Sequence, residues 1–174
     1  MEQVILVNEQ DEVLGVIEKM KAHEKGLLHR AFSVFVFNKK QELLLQKRAI
    51  AKYHSGGLWT NTCCSHPRLG EPTEAAAIRR LQEEMGFTTD LIKAFSFTYN
   101  ASFENGLTEH EFDHVFIGSY EGDIIINKEE VESYAYRSLE EVASLLEQEP
   151  HTFTAWFHIA FPKVRDWYLE NHKS

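Results

Sequence analysis

A chain of 174 residues with 43% apolar side chains can bury a core without disulfide or metal staples, and it reads as a single domain over residues 1–174. The net charge of -9 and the acidic pI near 5.5 exclude sequence-independent nucleic-acid binding, which needs surplus Lys and Arg along one face. Cys63 and Cys64, the two cysteines, are neighbours and cannot frame a disulfide scaffold. The opening Met-Glu-Gln-Val-Ile-Leu-Val-Asn lacks the basic and long apolar parts of a leader or a membrane span, so a soluble, cytoplasmic protein without membrane contact is expected.

Val4 to Val7 and Val13 to Ile17 are short β-rich runs around Asn8-Glu9-Gln10-Asp11-Glu12, a hairpin pattern. Glu18 to His29 is polar, reads as a loop, and carries Lys19, His23 and His29. Ala31 to Phe37 and Glu42 to Lys47 flank a second turn, Asn38-Lys39-Lys40-Gln41, and their near-continuous apolar character predicts central strands covered on both faces. Residues 48–58 form a basic, Gly-containing loop that leads into Trp59.

If residues 60–66 are extended, the two-residue period puts Thr62, Cys64 and His66 on one face and Cys63 on the other. Next, Pro72 and Gly86 bracket a helix whose Ala77, Ile78, Leu81 and Met85 make an apolar stripe. Strands are expected near Phe95 to Tyr99, from Glu109 to Tyr120, and at 124–126 and 133–137. Ser138-Leu-Glu-Glu is a capping-box pattern opening a helix to about Glu147. A last helix from about Thr154 to Asn171 should be kinked or restarted at Pro162, which has no N–H and clashes with the preceding turn. Strands mixed with helices at this length predict an α/β fold, a mixed sheet between helices.

Glu109 and Glu111 lie two apart in a strand, so both carboxylates face one way, and two such charges need a cation or a proton between them. With His23, His29 and His66 they make a candidate site for a divalent Zn, Mn or Mg ion. They could equally be surface groups on separate segments, the reading kept for His54, His110, His114, His151, His158 and His172. Cys64 is either an acid, base or nucleophile, or a small buried residue. Arg79 and Arg80 each stand four residues before a glutamate and could form ordinary surface pairs. If Lys19, Arg48, Lys52 and Arg80 converge, they would cradle a diphosphate.

From Ser65 to Phe87 the chain resembles a Nudix box, with Glu71, Arg79, Leu81, Glu83, Glu84, Gly86 and Phe87 in register. It departs from the hydrolase pattern at Ser65, where glycine is usual, and at Arg80, which replaces a glutamate. Trp59-Thr60-Asn61, Cys64-Ser65-His66-Pro67, Gly70-Glu71 and Arg79-Arg80 together resemble the type I isopentenyl diphosphate isomerases, a Nudix-fold family without hydrolase chemistry.

That resemblance runs from about Val4 to Trp156 and implies a metal site of His23, His29, His66, Glu109 and Glu111. It implies a second ion, Mg2+, held with substrate diphosphate by Glu84, and diphosphate contacts from Lys19, Arg48, Lys52 and Arg80. Cys64 and Glu111, helped by Tyr99, match the family's proton-transfer pair, and Trp156 the residue facing the hydrocarbon.

Moving the double bond to make dimethylallyl diphosphate requires one proton added and another removed through a tertiary carbocation. The expectation is Glu111 as acid with Tyr99, Cys64 as base, closure of the N-terminal segment and the 48–58 loop over a small diphosphate substrate, and a monomer or weak dimer. The rival readings are a Nudix diphosphohydrolase and a non-catalytic metal-tethered binding module.

Overall fold

Near-continuous burial of the central strands sets the architecture of the computed structural model, which describes residues 2–52, 55–103 and 105–172. In chain order the elements are β1 (Gln3–Val7), β2 (Val13–Glu18), α1 (Lys19–Lys25), β3 (His29–Phe37), β4 (Glu42–Arg48), β5 (Trp59–Thr60) and β6 (Cys63–Ser65). Then come α2 (Thr73–Met85), β7 (Leu91–Ser102), β8 (Thr108–Ser119), β9 (Val131–Ser138), α3 (Leu139–Gln148) and α4 (Ala155–Asn171). No helix among the described residues is long and apolar enough to cross a membrane.

β3 is the spine of the sheet. It pairs in parallel with β8 from His29 opposite Glu111 to Phe37 opposite Ser119, and β8 pairs antiparallel with β7. On its other edge β3 meets β1, then β6, then β4, all antiparallel, so the sheet is mixed. Pleating sends Phe32, Val34 and Val36 into one core with Leu44, Ala77, Leu81 and Met85. Phe35 and Phe37 enter the other, with Leu43, Leu45, Phe157, Phe161 and Val164. The sheet therefore lies between α2 on one side and α3 with α4 on the other, and the central strands are covered on both faces as expected.

A split in this sheet makes room for the site. β3 and β4 are joined at Phe37 and Leu43, and beyond that pair the chain from Trp59 to Ser65 enters between them, β5 along β4 and β6 along β3. Thr62 bridges the gap: its Oγ1 donates to Leu44 O at 2.7 Å and accepts from Val36 N at 2.9 Å. Gln46 Nε2 adds a bond to Thr62 O at 2.9 Å. Buried polar groups are costly unless bonded, and here each of these has a backbone partner.

Several sequence expectations change. Glu18 to His29 is not a loop, since Lys19–Lys25 forms α1, closed by Gly26 at φ 66°. The stretch 60–66 is not one extended run. It breaks at Asn61 and Thr62, so Thr62 points into the sheet plane and does not share a face with Cys64. No strand forms at 124–126, because that segment instead satisfies the end of α2: Ile125 N donates to Met85 O at 3.0 Å and Asn127 N to Glu84 O at 2.9 Å. α4 runs unbroken through Pro162. The remaining strands differ at their ends, β7 beginning at Leu91, β8 ending at Ser119 and β9 spanning Val131–Ser138. Ser138 makes both bonds of the capping box with Glu141. His54 lies outside the described residues.

Gly86 is where this packing tolerates no side chain. It closes α2 at φ 75°, and a Cβ there would sit 2.2 Å from Ile125 O. Gly86→Ala is therefore expected to lower the unfolding free energy by about 2 kcal/mol or more in urea titrations. An unchanged midpoint would show that the 124–127 segment yields without cost.

Candidate active site

The strand registers bring the chemistry together. His29 stands opposite Glu111 in the β3–β8 pair, Tyr99 opposite Glu111 in β7–β8, and Ser33 opposite Cys64 in β3–β6. α1 adds His23 from above the strand ends, and the chain leaving β6 adds His66. The ligand atoms of His23, His29, His66 and Glu111 all lie within 4.8 Å of one another.

Within this cluster, His29 Nε2 and His66 Nε2 lie 3.1 and 2.8 Å from the same Glu111 Oε2. His23 Nε2 is 3.8 Å from Glu109 Oε2. The Nδ1 of His29 is 2.8 Å from Leu27 O, which can only accept, so Nδ1 carries a proton and Nε2 is the atom turned toward Glu111. An imidazole nitrogen this close to a carboxylate oxygen needs a proton or a cation between them. Three imidazoles and a carboxylate fit a divalent metal ion, and the orienting Leu27 bond is the kind of outer contact that metal-bound histidines have.

Burial alone would raise Glu111, but bonds from His29 and His66 hold it well below the usual carboxylate range. Its neighbour Glu109 is pushed well above by burial and by the charge of Glu111. Burial holds His66 below its ordinary value despite Glu111. His29 is burdened by burial too, yet rises through its bond to Glu111.

Beside the cluster opens a cavity of about 940 Å³ whose lining includes Cys64, His66, Tyr99, Glu109, Glu111 and Trp156 together with Lys19, Arg48, Lys52 and Arg80. In an acidic chain this gathers basic side chains around one cavity, the arrangement that draws an anion in. Carboxylates hold the cations in place: Lys19 pairs with Glu2, and Lys52 Nζ lies 3.5 Å from Glu130. Arg80 reaches Glu83, Glu84 and Glu130 at 2.8, 2.9 and 2.5 Å. Arg48 sits 5.1 Å over the Trp156 ring.

Glu84 stands apart from the histidine cluster, buried under Arg80, with Gln46 Nε2 donating to it at 3.1 Å. Cys63, on the opposite face of β6 from Cys64, donates its S–H to Glu84 Oε2 at 3.5 Å. Arg79 forks onto Glu71 at 2.8 and 3.0 Å, fixing the loop before α2.

In the cavity lining, the Cys64 thiol donates to Asn61 Oδ1 at 3.0 Å and lies 3.7 Å from Ser33 Oγ. Burial, and then the neighbouring Asp113, push it above the ordinary thiol range. The Tyr99 hydroxyl donates to Glu111 Oε1 and lies 3.3 Å from Glu109 Oε1. Burial with those two carboxylates pushes Tyr99 well above the usual phenol value.

Sequence reasoning missed Ser33, Asp113 and Glu130. Ser33 Oγ donates to Asp113 Oδ2 at 2.7 Å, and burial drives that carboxyl well upward. A signal existed for Asp113, which continues the two-residue alternation of Glu109 and Glu111. Glu130 had none, because its contacts with Lys52 and Arg80 come from distant segments. Of the other histidines, His114 is bonded to Asp11 at 2.9 Å and His110 to Gly26 O at 3.2 Å, both away from the cluster.

Comparison with known proteins places the chain in a family. The NUDIX domain family matches residues 27–157. The chain is 51% identical over 166 residues to the isopentenyl-diphosphate Delta-isomerase of Pectobacterium atrosepticum, covering 95% of this chain and 93% of that one. It is 49% identical to the isomerase of the same name from Serratia proteamaculans, covering 90% of this chain and 87% of that one.

Among solved structures, a Deinococcus radiodurans protein overlays with a TM-score of 0.71 at 21% identity, covering 85% of this chain and 90% of that one. A MutT protein from Methanosarcina mazei overlays at 0.66 and 22%, covering 84% and 96%. Those two likenesses carry the fold alone. The fold, the His and Glu cluster that can take a divalent ion, and the near-full-length identity meet in one conclusion: this chain is a Nudix-fold protein and belongs to the isopentenyl-diphosphate Delta-isomerase family.

Proposed function

We propose that this isomerase moves the double bond of isopentenyl diphosphate by proton transfer at Cys64 and at the Tyr99–Glu111 pair, through a tertiary carbocation. One observation carries the reading: both groups line a single cavity together with Lys19, Arg48, Lys52 and Arg80. The diphosphate binds those cations, and its five-carbon tail lies between thiol and carboxylate. A divalent ion (Mn2+, Zn2+ or Mg2+) at His23, His29, His66, Glu109 and Glu111, and Mg2+ with the diphosphate at Glu84, would supply fixed positive charge where carboxylates and phosphates crowd.

Isopentenyl diphosphate offers no carbonyl to acidify the proton that leaves, so one group must give a proton before the other takes one. Protonated Glu111 is the proton source in the forward direction, and Tyr99, which stays protonated, donates its hydroxyl to the carboxylate that is left. Cys64 takes the proton from the carbon next to the one bearing oxygen. At rest the charges are the reverse: the thiol is neutral and Glu111 is held ionised. This is the state that forward turnover leaves behind and from which the return reaction starts, so each forward cycle requires the thiol to give up its proton and Glu111 to regain one.

Trp156 offers its π face to the carbocation, worth about 0.5–2 kcal/mol, and Arg48 already rests on that ring. Water must be kept from the cation, and Glu2 and Gln3 reach the cavity from the N-terminal segment that would cover it. The same reading has a monomer or weak dimer working in the cytoplasm. It is supported by a site built from one chain and by two free thiols.

Proton NMR of isopentenyl diphosphate in heavy water with Mg2+ tests the mechanism. Dimethylallyl diphosphate carrying solvent deuterium should appear, and turnover should fall by about a thousandfold or more in Cys64→Ala and in Glu111→Gln. Release of inorganic phosphate instead would mean a hydrolase.

The same experiment separates acid from base. Cys64→Ala should still wash deuterium into the terminal methylene without making product, because its acid is intact. If only Glu111→Gln does so, the roles are exchanged.

Chelation gives a third test. The metal-free enzyme should lose activity and melt lower, each divalent ion restoring both to its own degree. His66→Ala should blunt that restoration, and full activity after exhaustive chelation would remove the metal from the reading.

A further inference from the structure

Asn61 has no part in the reading above, yet the Cys64 thiol makes its shorter hydrogen bond to this residue. The orientation of the amide is settled by its surroundings. Asn61 Nδ2 lies 3.0 Å from Val34 O and 2.9 Å from Cys63 O. Carbonyls only accept, so both amide hydrogens are committed there, and Oδ1 is left purely as an acceptor.

The direction of every other bond follows. Thr60 Oγ1, 2.9 Å from Oδ1, must donate to it. The Thr60 oxygen then accepts from Thr154 Oγ1 at 3.0 Å. Thr154 is the N-cap of α4, and its oxygen accepts from Phe157 N at 3.4 Å. The Cys64 S–H is the second donor into Oδ1, at 3.0 Å. Hydrogen bonds thus run one way from the first turn of α4 to the amide that holds the thiol. Thr60, Asn61 and Thr154 are 1%, 0% and 0% exposed, so no bulk solvent competes for these groups.

The backbone doubles this connection. Thr154 N donates to Trp59 O at 3.0 Å, and Phe153 bridges Trp59. Trp156 lies in the first turn of the same helix. Thiol and indole therefore hang from opposite ends of one buried polar chain.

We propose that Asn61 is a positioning residue that aims the Cys64 sulfur, and that Thr60 and Thr154 tie this aim to the helix bearing Trp156. It rests on the assignment of Cys64 to proton transfer. None of the three residues lines the cavity where the basic side chains gather, so the effect falls on turnover and not on capture of the diphosphate. Two donors into one oxygen also compete. Without the Thr60 hydroxyl, the thiol becomes the sole donor to Oδ1 and is held more tightly, in a shifted place.

Thr60→Val tests this, since it keeps the shape of the side chain and deletes the donor. Expected are a fall in kcat of about tenfold, a KM for isopentenyl diphosphate within about twofold of the parent, and a shift of the Cys64 S–H infrared band to lower wavenumber. The band is identified by its loss in Cys64→Ala. Thr60→Ser, which restores the hydroxyl, should return both kcat and the band.

An unmoved band, an unchanged kcat, or a serine variant that rescues neither would overturn the proposal. Should Thr60→Val fail to fold, Thr154→Ala is read by the same two measurements with the same expectation. Full turnover in Cys64→Ala would sink the catalytic assignment and this proposal with it. An inactive Cys64→Ala beside an unmoved band would sink the positioning role alone.

Discussion

Two carboxylates buried side by side are the constraint around which this molecule is arranged. Glu109 and Glu111 point the same way from β8, each 5% exposed, and burying like charges together is strongly unfavourable without compensation. The compensation comes from three different directions: α1 brings His23, the parallel partner strand brings His29, and the chain leaving β6 brings His66. Each depends on register, because sliding β3 by one residue against β8 would turn His29 to the other face. The parallel pairing of β3 with β8, of all features of the sheet, is therefore what the site requires most.

The second requirement is a sheet that opens. Hydrogen-bonded strands leave no room for a ligand between them, and here the Trp59–Ser65 chain enters where β3 and β4 part. Thr62 and Gln46 restore the bonds that the parting strands give up, and Asn61 bonds Val34 O and Cys63 O as well. The polar run Thr60-Asn61-Thr62 is thus part of the backbone accounting of the core. The inward-facing positions of β6 are thereby free to present chemistry, and the result is a rigid floor, with the thiol set by buried bonds on the side away from the cavity.

How much of this was legible beforehand follows the range of the interactions. Local signals read well: the Pro72 and Gly86 brackets of α2, the capping box at Ser138, the apolar runs of β3 and β4, and the alternation that put Glu109 with Glu111. The spacing of residues said nothing about whether the three histidines meet, since that depends on pairings between segments far apart in sequence, and only the resemblance to a known family suggested it. α1 was read as a loop because five of its seven residues are polar and its support comes from tertiary contact with β8. The segment near Ile125 was read as a strand from its β-branched residues, but its N–H groups serve the last carbonyls of α2. Ser33 was missed because its partners, Cys64 and Asp113, come from strands distant in sequence.

The pleat of β6 settles the Cys63-Cys64 doublet as well. Consecutive residues on a strand face opposite ways, so one sulfur looks into the cavity and the other is sealed under α2 against Glu84. For the two sulfurs to meet, the strand would have to leave its pairing with β3, undoing the wall of the site. A reagent that enters the cavity therefore encounters a single thiol with no second sulfur within reach, and the doublet behaves as two unrelated cysteines that happen to share a peptide bond.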